Sequence, residues 1–252
     1  MRKLLGGTLA ALVVLGSAAG VRADDKEVRA LLDKAIKAHG GAEKLDKYQA
    51  ATLKLKGKIT IMGMDLDFTG DVAEQLPDKI RSEITLDIQG KQVKVVEVLN
   101  KGKGWYSADG KTMDMTKEML AEAREQMNAG GVAQQLTPLK GKEFTLAPLG
   151  ESKVGGAAAV GIRASRKGYR DVSLYFDKKS GLLLKTERRA KDVMQGDAEF
   201  TEETFYYDYK EVSGVQVPYR VTQKRDGKDF LSAKVSEAKV EEKLDDSHFA
   251  KP

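Results

Sequence analysis

The sequence predicts an α+β fold that is mostly β, antiparallel strands interrupted by two helical segments. Three patterns predict it. From Ile80 to Ile88 the residues alternate, with Ile80, Ile84, Leu86 and Ile88 facing one way and Arg81, Glu83, Thr85 and Asp87 the other. The stretch YFDKKSGLLLKTERR, Tyr175 to Arg189, reads as two strands about a glycine-containing turn, with Leu182 and Leu184 on one face and Leu183 on the other beside Lys185 and Glu187. Two further stretches carry their apolar residues at helical spacing instead. The chain therefore reads as a sheet with one greasier face, and its function depends on what covers that face.

The elements follow in order. Val28, Leu31, Leu32, Ala35 and Ile36 place an amphipathic helix between Asp25 and His39, and Gly40-Gly41 supplies its left-handed stop. A second helical turn, Ala42 to Tyr48, leads into the alternation Leu53, Leu55, Ile59, Ile61, with Gly57 and Gly63 as bulges or bends. After Ile88, Gly90 turns the chain into a strand from Gln92 to Leu99, and the turn Lys101 to Gly104 precedes a short strand at Trp105-Tyr106. Met115, Met119, Leu120, Ala123 and Met127 then mark a methionine-lined helix, with Asn128 to Gly131 as its flexible end. From Phe144 the pattern is β: the Tyr175 hairpin, the pair Phe200 to Tyr209 and Val215 to Gln223, and, after the Asp226-Gly227 turn, Phe230 to Val240. Pro218 lacks a ladder donor, which puts its strand at an edge or at a bulge.

The first residues have the three parts of a secretory signal: Arg2 and Lys3, an apolar run from Leu4 to Leu15, and Val21-Arg22-Ala23 as a small-residue cleavage site. Residues 1–23 are expected to be removed, leaving 24–252 as one domain without a Pro- or Ser-rich linker. The apolar run is shorter than the roughly 20 residues a spanning helix needs. No Cys occurs, which excludes disulfides, thiolate metal sites, a thiol nucleophile and a lipid-bearing cysteine. The formal charge of +5 falls once the three bases of the signal are gone. The remaining bases are interleaved with acids, which argues against a nucleic-acid partner.

Catalytic motifs are equally scarce. His39 sits at a helix C-terminus, where a ring can reach free carbonyls, and His248 lies near the chain end; neither belongs to an HExxH pair. No Ser occupies a GxSxG elbow. Gly104 to Thr112 resembles a phosphate-binding GxxxxGK[ST] loop but has one residue too many between its glycines, and Asp109-Gly110 reads more simply as a hairpin turn. Paired acids such as Asp65/Asp67 and Glu202/Glu203 mark wet strand faces. The residues point to no enzyme, no metal and no cofactor.

The helix end AHGGAEKL, FDKKSGLLLKTERR, YYDYKEVSGVQVPYRV and the ending LDDSHFAKP together resemble the LolA/LolB-like superfamily of outer-membrane lipoprotein-sorting proteins and their periplasmic relatives. The resemblance implies an incomplete antiparallel β-barrel, a half-barrel whose concave apolar face is covered by helices and accepts lipid acyl chains. On that model the ligand-facing residues are Leu66, Phe68, Ile84, Leu86, Ile88, Trp105, Leu182 and Leu184 from the strands, with Met115, Met119 and Met127 from the covering helix. It implies a periplasmic, monomeric, non-enzymatic carrier whose partners are lipid or lipoprotein acyl chains. The alternative of the same fold is a sensor or scaffold with a filled core that acts on envelope proteins by contact. Periodicity does not separate a cavity lining from a core.

Overall fold

A computed structural model describes residues 18–193 and 196–252; most of the expected signal, residues 1–17, lies outside them. Thirteen strands form a single antiparallel sheet. The first meander comprises β1 (Ala50–Ile61), β2 (Met64–Gln75), β3 (Lys79–Ile88), β4 (Lys91–Asn100), β5 (Lys103–Ala108) and β6 (Lys111–Asp114). The second comprises β7 (Phe144–Val154), β8 (Ala157–Arg166), β9 (Val172–Asp177), β10 (Leu183–Asp192), β11 (Ala198–Val212), β12 (Val215–Arg225) and β13 (Lys228–Glu241). Pairing of β1 with β13 joins the two, while β6 and β7 remain free edges, so the sheet is a half-barrel rather than a closed one.

Turn chemistry sets the meanders. Met62-Gly63, Gln89-Gly90, Asp109-Gly110 and Asp226-Gly227 all have both φ angles positive, between 47° and 84°. Such two-residue turns match the twist of the strands they join. The near-phosphate loop at Asp109-Gly110 is one of these hairpins.

Three helices cover one face of the sheet. α1 (Ala18–Ala38) buries Val28, Leu32, Ala35 and Ile36 in a core with Ile162, Leu174, Phe176 and Leu183 of β8 to β10. α2 (Ala42–Lys47) follows after Gly40, whose φ of 124° and approach to the Gly214 carbonyl, 2.5 Å from where a Cβ would stand, leave room for no other residue. α3 (Lys117–Gln135) carries the chain from the free edge at β6 toward the free edge at β7. Its Leu120, Ala123 and Met127 pack on Leu76, Ile80 and Leu99. On the other side Glu122 bonds Arg188 of β10 and Arg170, each at 2.7 Å, and Arg188 Nε reaches Glu202 of β11 at 2.8 Å.

Four details differ from the expectations of the sequence. Asn128 to Gly131 is helical, because burial of Val132 and Ala133 holds the last turns of α3 in place against the roughly 1 kcal/mol that each glycine costs a helix. Pro218 lies in β12, an interior strand, with no bulge in its register: Tyr209 pairs with Pro218 and Tyr207 with Arg220, and the proline is tolerated because β13 pairs only from Arg220 onward. The alternation around Leu182 to Leu184 is offset by a bulge between Leu183 and Lys185, so Leu183 is buried with Thr186 while Leu182 and Leu184 are half-buried. Finally, Trp105 faces away from the helices. It pairs with Val98 and packs beside Ala50, Ala73, Val96 and Val98 under Leu244 and Phe249 of the C-terminal tail.

That tail is strapped down by Lys79 to Asp246 at 2.6 Å, by Asn100 Nδ2 donating to the Phe249 carbonyl at 3.1 Å and by Arg81 donating to the Ala250 carbonyl at 3.2 Å.

Two predictions follow from these contacts. Arg188→Ala strands Glu202, whose side chain is 11% exposed, and leaves Glu122 with Arg170 alone; it is expected to cost about 3–5 kcal/mol in urea unfolding. Adding Glu202→Leu to Arg188→Met should return most of that stability, because no uncompensated charge is then left at Glu202. Phe249→Ala should cost about 3–5 kcal/mol and shift the emission of Trp105, the sole Trp, to the red in the folded protein.

Candidate functional site

The site grows from one row of residues. On the helix-bearing side of β1 stand Ala51, Leu53, Leu55, Gly57, Ile59 and Ile61, opposite Glu74, Val72, Gly70, Phe68, Leu66 and Met64 of β2. Strand β13 adds Val240, Ala238, Val235, Ala233 and Leu231 along the other side of the same row. At the rise of about 3.3 Å per residue the row runs for roughly 33 Å.

A cavity of about 260 Å³ lies over its first half. Its walls are Ala51, Leu53, Leu55, Val221, Ala233 and Val235 from the sheet, roofed by Leu45 of α2 and by Gly130, Ala133 and Gln134 of α3. Leu55 and Ala233 also belong to the apolar cluster that fills the second half of the row, where Leu66, Phe68 and Leu86 are buried and Ile59, Ile61, Ile84, Ile88 and Leu231 half-buried. Cavity and cluster are therefore parts of one apolar face, and the half-buried side chains of the second half form an apolar trough along the row.

The cavity has a polar end at the beginning of the row. Glu74 is buried there, and Gln134 Nε2 donates to its Oε2 at 3.2 Å. Burial pushes the Glu74 carboxyl above its ordinary range, against a smaller opposing effect of Gln134. Gln49 and Gln134, both exposed, bring this end of the lining to solvent.

Three other polar groups of the lining, His39, Tyr206 and Tyr209, are satisfied within the protein. His39 Nδ1 faces the Ala35 carbonyl at 2.8 Å and so carries the proton, while Nε2 accepts from the Leu183 amide at 3.4 Å. Burial pushes its pKa down, in keeping with the neutral ring. Tyr209 packs edge-on against it and donates to the Leu183 carbonyl at 2.8 Å, and burial pushes its phenol up. Tyr206 shares a 3.0 Å hydrogen bond with Thr186, and burial raises its pKa to about 12. His39 thus pins the end of α1 to β10, and no group of three or more potential metal ligands occurs among the described residues.

The ligand-facing residues expected from the sequence fall into three places. Leu66, Phe68, Ile84, Leu86 and Ile88 line the trough beyond the cavity. Met127 packs on Leu76 and Leu99, Met115 lies against the side-chain-free Gly104, and Met119 is half-buried on α3. Trp105 is on the opposite face, and Leu183 holds the inward position in place of Leu182 and Leu184.

Glu74, Tyr206, Tyr209 and Gln134 were missed. For Glu74 a signal existed: it stands in phase with Leu66, Phe68 and Val72, an acid on the apolar side of an alternating strand.

No known family model matches the sequence, and no curated protein is similar to it. Solved structures do match. A DUF1329 family protein from Desulfovibrio piger superposes with a TM-score of 0.57 at 15% identity, over 88% of this chain and 97% of that one. A LolA superfamily protein from Nitrosomonas europaea gives 0.54 at 10% identity, over 88% and 97%. The fold is LolA-like. A domain assigned to outer membrane lipoprotein sorting, from Vibrio parahaemolyticus, gives the same TM-score of 0.54 at 11% identity, over 86% of this chain and 95% of that one. The LolA-like half-barrel accounts for the free edges and for the three α-helices lying on one face.

Glu74 supplies a stability test. Its folded pKa lies above the ordinary 4.5, so the buried charge is a cost above the folded pKa that vanishes as pH falls toward 4.5. Glu74→Gln should therefore raise the melting temperature near neutral pH by about 2–4 °C, the shift that ~1 kcal/mol produces in a domain of this size. In parallel melts the gain should shrink on acidification below the folded pKa.

Proposed function

We propose that the protein is a non-enzymatic carrier of the bacterial periplasm that holds lipid acyl chains, or the lipid anchor of a lipoprotein, along the β1 row. The observation that carries this reading is the continuity of the cavity with the trough through Leu55 and Ala233. A cavity of about 260 Å³ is small for a long chain, and the trough supplies the missing length. The energetics are adequate: at about 0.8 kcal/mol per buried CH₂, a palmitoyl-length chain gains roughly 12 kcal/mol gross, from which the ordering of ligand and protein is subtracted.

The LolA-like fold, found also in a domain assigned to lipoprotein sorting, and the secretory signal expected at residues 1–23 support the same reading. Among the described residues no helix is long and apolar enough to cross a membrane. The second reading, a scaffold acting by contact with envelope proteins, is favoured by the packing of Met127, Leu120 and Ala123 on Leu76 and Leu99, which fills part of the covered face.

Extraction of the purified protein followed by mass spectrometry should yield acyl chains near one per molecule. Ala233→Leu, which narrows the junction between cavity and trough, should weaken uptake of a fluorescent fatty acid by about tenfold or more while costing about 1–3 kcal/mol of stability. A protein free of lipid whose Ala233→Leu variant takes up the fatty acid unchanged would favour the scaffold.

A further inference from the structure

We infer that the ligand enters head against Glu74, and that this head is a neutral hydrogen-bond donor or an amine rather than a phosphate or carboxylate. The inference rests on the acyl-binding reading and specifies its ligand. Glu74, Gln49 and Gln134 gather beside Ala51, whereas Leu53, Leu55, Val221 and Ala233 lead from there toward the trough, where the phenol of Tyr206 is engaged by Thr186. A ligand laid along the row puts its chain on the apolar half and its head at Glu74.

The chemistry of that head follows from what the polar end contains. Among the described residues Gln134 is the only hydrogen-bond partner of the Glu74 carboxylate and occupies Oε2, leaving Oε1 as an acceptor. Among the described residues no Lys or Arg lines the cavity. His39, the one ring able to become cationic there, has both nitrogens engaged by Ala35 and Leu183. An anionic head would thus lie beside a buried carboxyl with no cation to offset either charge. A hydroxyl or ammonium instead donates to Oε1 and offsets the cost of burying the acid, which burial already disfavours as a charge.

The test compares three ligands with one chain. Dodecanol, dodecylamine and dodecanoate, each below its micellar concentration, compete near neutral pH with N-phenylnaphthylamine bound to the purified protein. The alcohol and the amine are expected to displace the dye at concentrations about tenfold or more below that of dodecanoate. In Glu74→Gln the amine should lose about tenfold and dodecanoate should gain, with the alcohol little changed. Equal displacement by all three in the unaltered protein, or dodecanoate ahead, would overturn the inference while leaving acyl binding intact, because the head would then point out of the trough's far end. An order that survives Glu74→Gln would also overturn it. Displacement by none would remove the acyl-binding reading and the inference together. The ranking in the unaltered protein decides the matter even if the variant folds poorly.

Discussion

The pairing of β1 with β13 is the constraint on which the rest of the structure depends. It joins residues far apart in the chain, Ala50 with Glu241 and Ile59 with Leu231, and so turns two separate meanders into one sheet. Such a pairing must overcome a large loop-closure entropy before any contact rewards it. The close approach of the two strands shows in Gly57, where a Cβ would stand 1.9 Å from the Ser232 carbonyl oxygen; only glycine permits it. Because β1 sits between β2 and β13, its inward row becomes the floor of the cavity and of the trough alike.

An open sheet with an apolar side must be covered, and the two sides are covered differently. α3 crosses from one free edge toward the other and is held at one flank by apolar packing on Leu76 and Leu99, at the opposite flank by the charges of Glu122, Arg170 and Arg188. Buried ion pairs contribute little net stability once desolvation is counted, but a wrong docking of α3 would part Glu122 from both Arg170 and Arg188 and leave Arg188 with Glu202 alone. The charges therefore select where α3 docks. On the reverse side the C-terminal tail places Phe249 over Val98 and Ala73, so the first meander is apolar on both faces at that point.

This double coverage decides what could be read from the sequence. Ile80 to Ile88, the hairpin at Asp109-Gly110 and the face of α1 were legible because each is set by local periodicity or turn chemistry. Trp105 was not, because strand alternation assigns a residue to a face without saying which face carries the helices, and here the tail makes the reverse face apolar too. Leu183 was misplaced by a single bulged residue, which exchanges the faces of everything before it. Gly130 and Gly131 read as a hinge by propensity and are helical by tertiary packing. The general position of the site on an apolar sheet face was legible; its polar end was not, since Glu74 meets Gln134 only when α3 folds back across the sheet.

The polar end also shows how the protein divides its buried polar groups. His39, Tyr206 and Tyr209 find their partners in Ala35, Leu183 and Thr186, and each ties an element to the core: α1 to β10 through His39, β11 to β10 through the two tyrosines. Removing any of them would loosen the scaffold around the cavity. Glu74 differs, because its one partner is the exposed Gln134 and its second oxygen has none among the described residues. A buried acid so placed destabilises the fold, and packing alone would be better served by Gln or Leu at that position. Residues that cost stability without structural return concentrate where a protein meets its ligand. On the proposed carrier reading, that argument puts specificity at the polar beginning of the β1 row and affinity in its long apolar remainder.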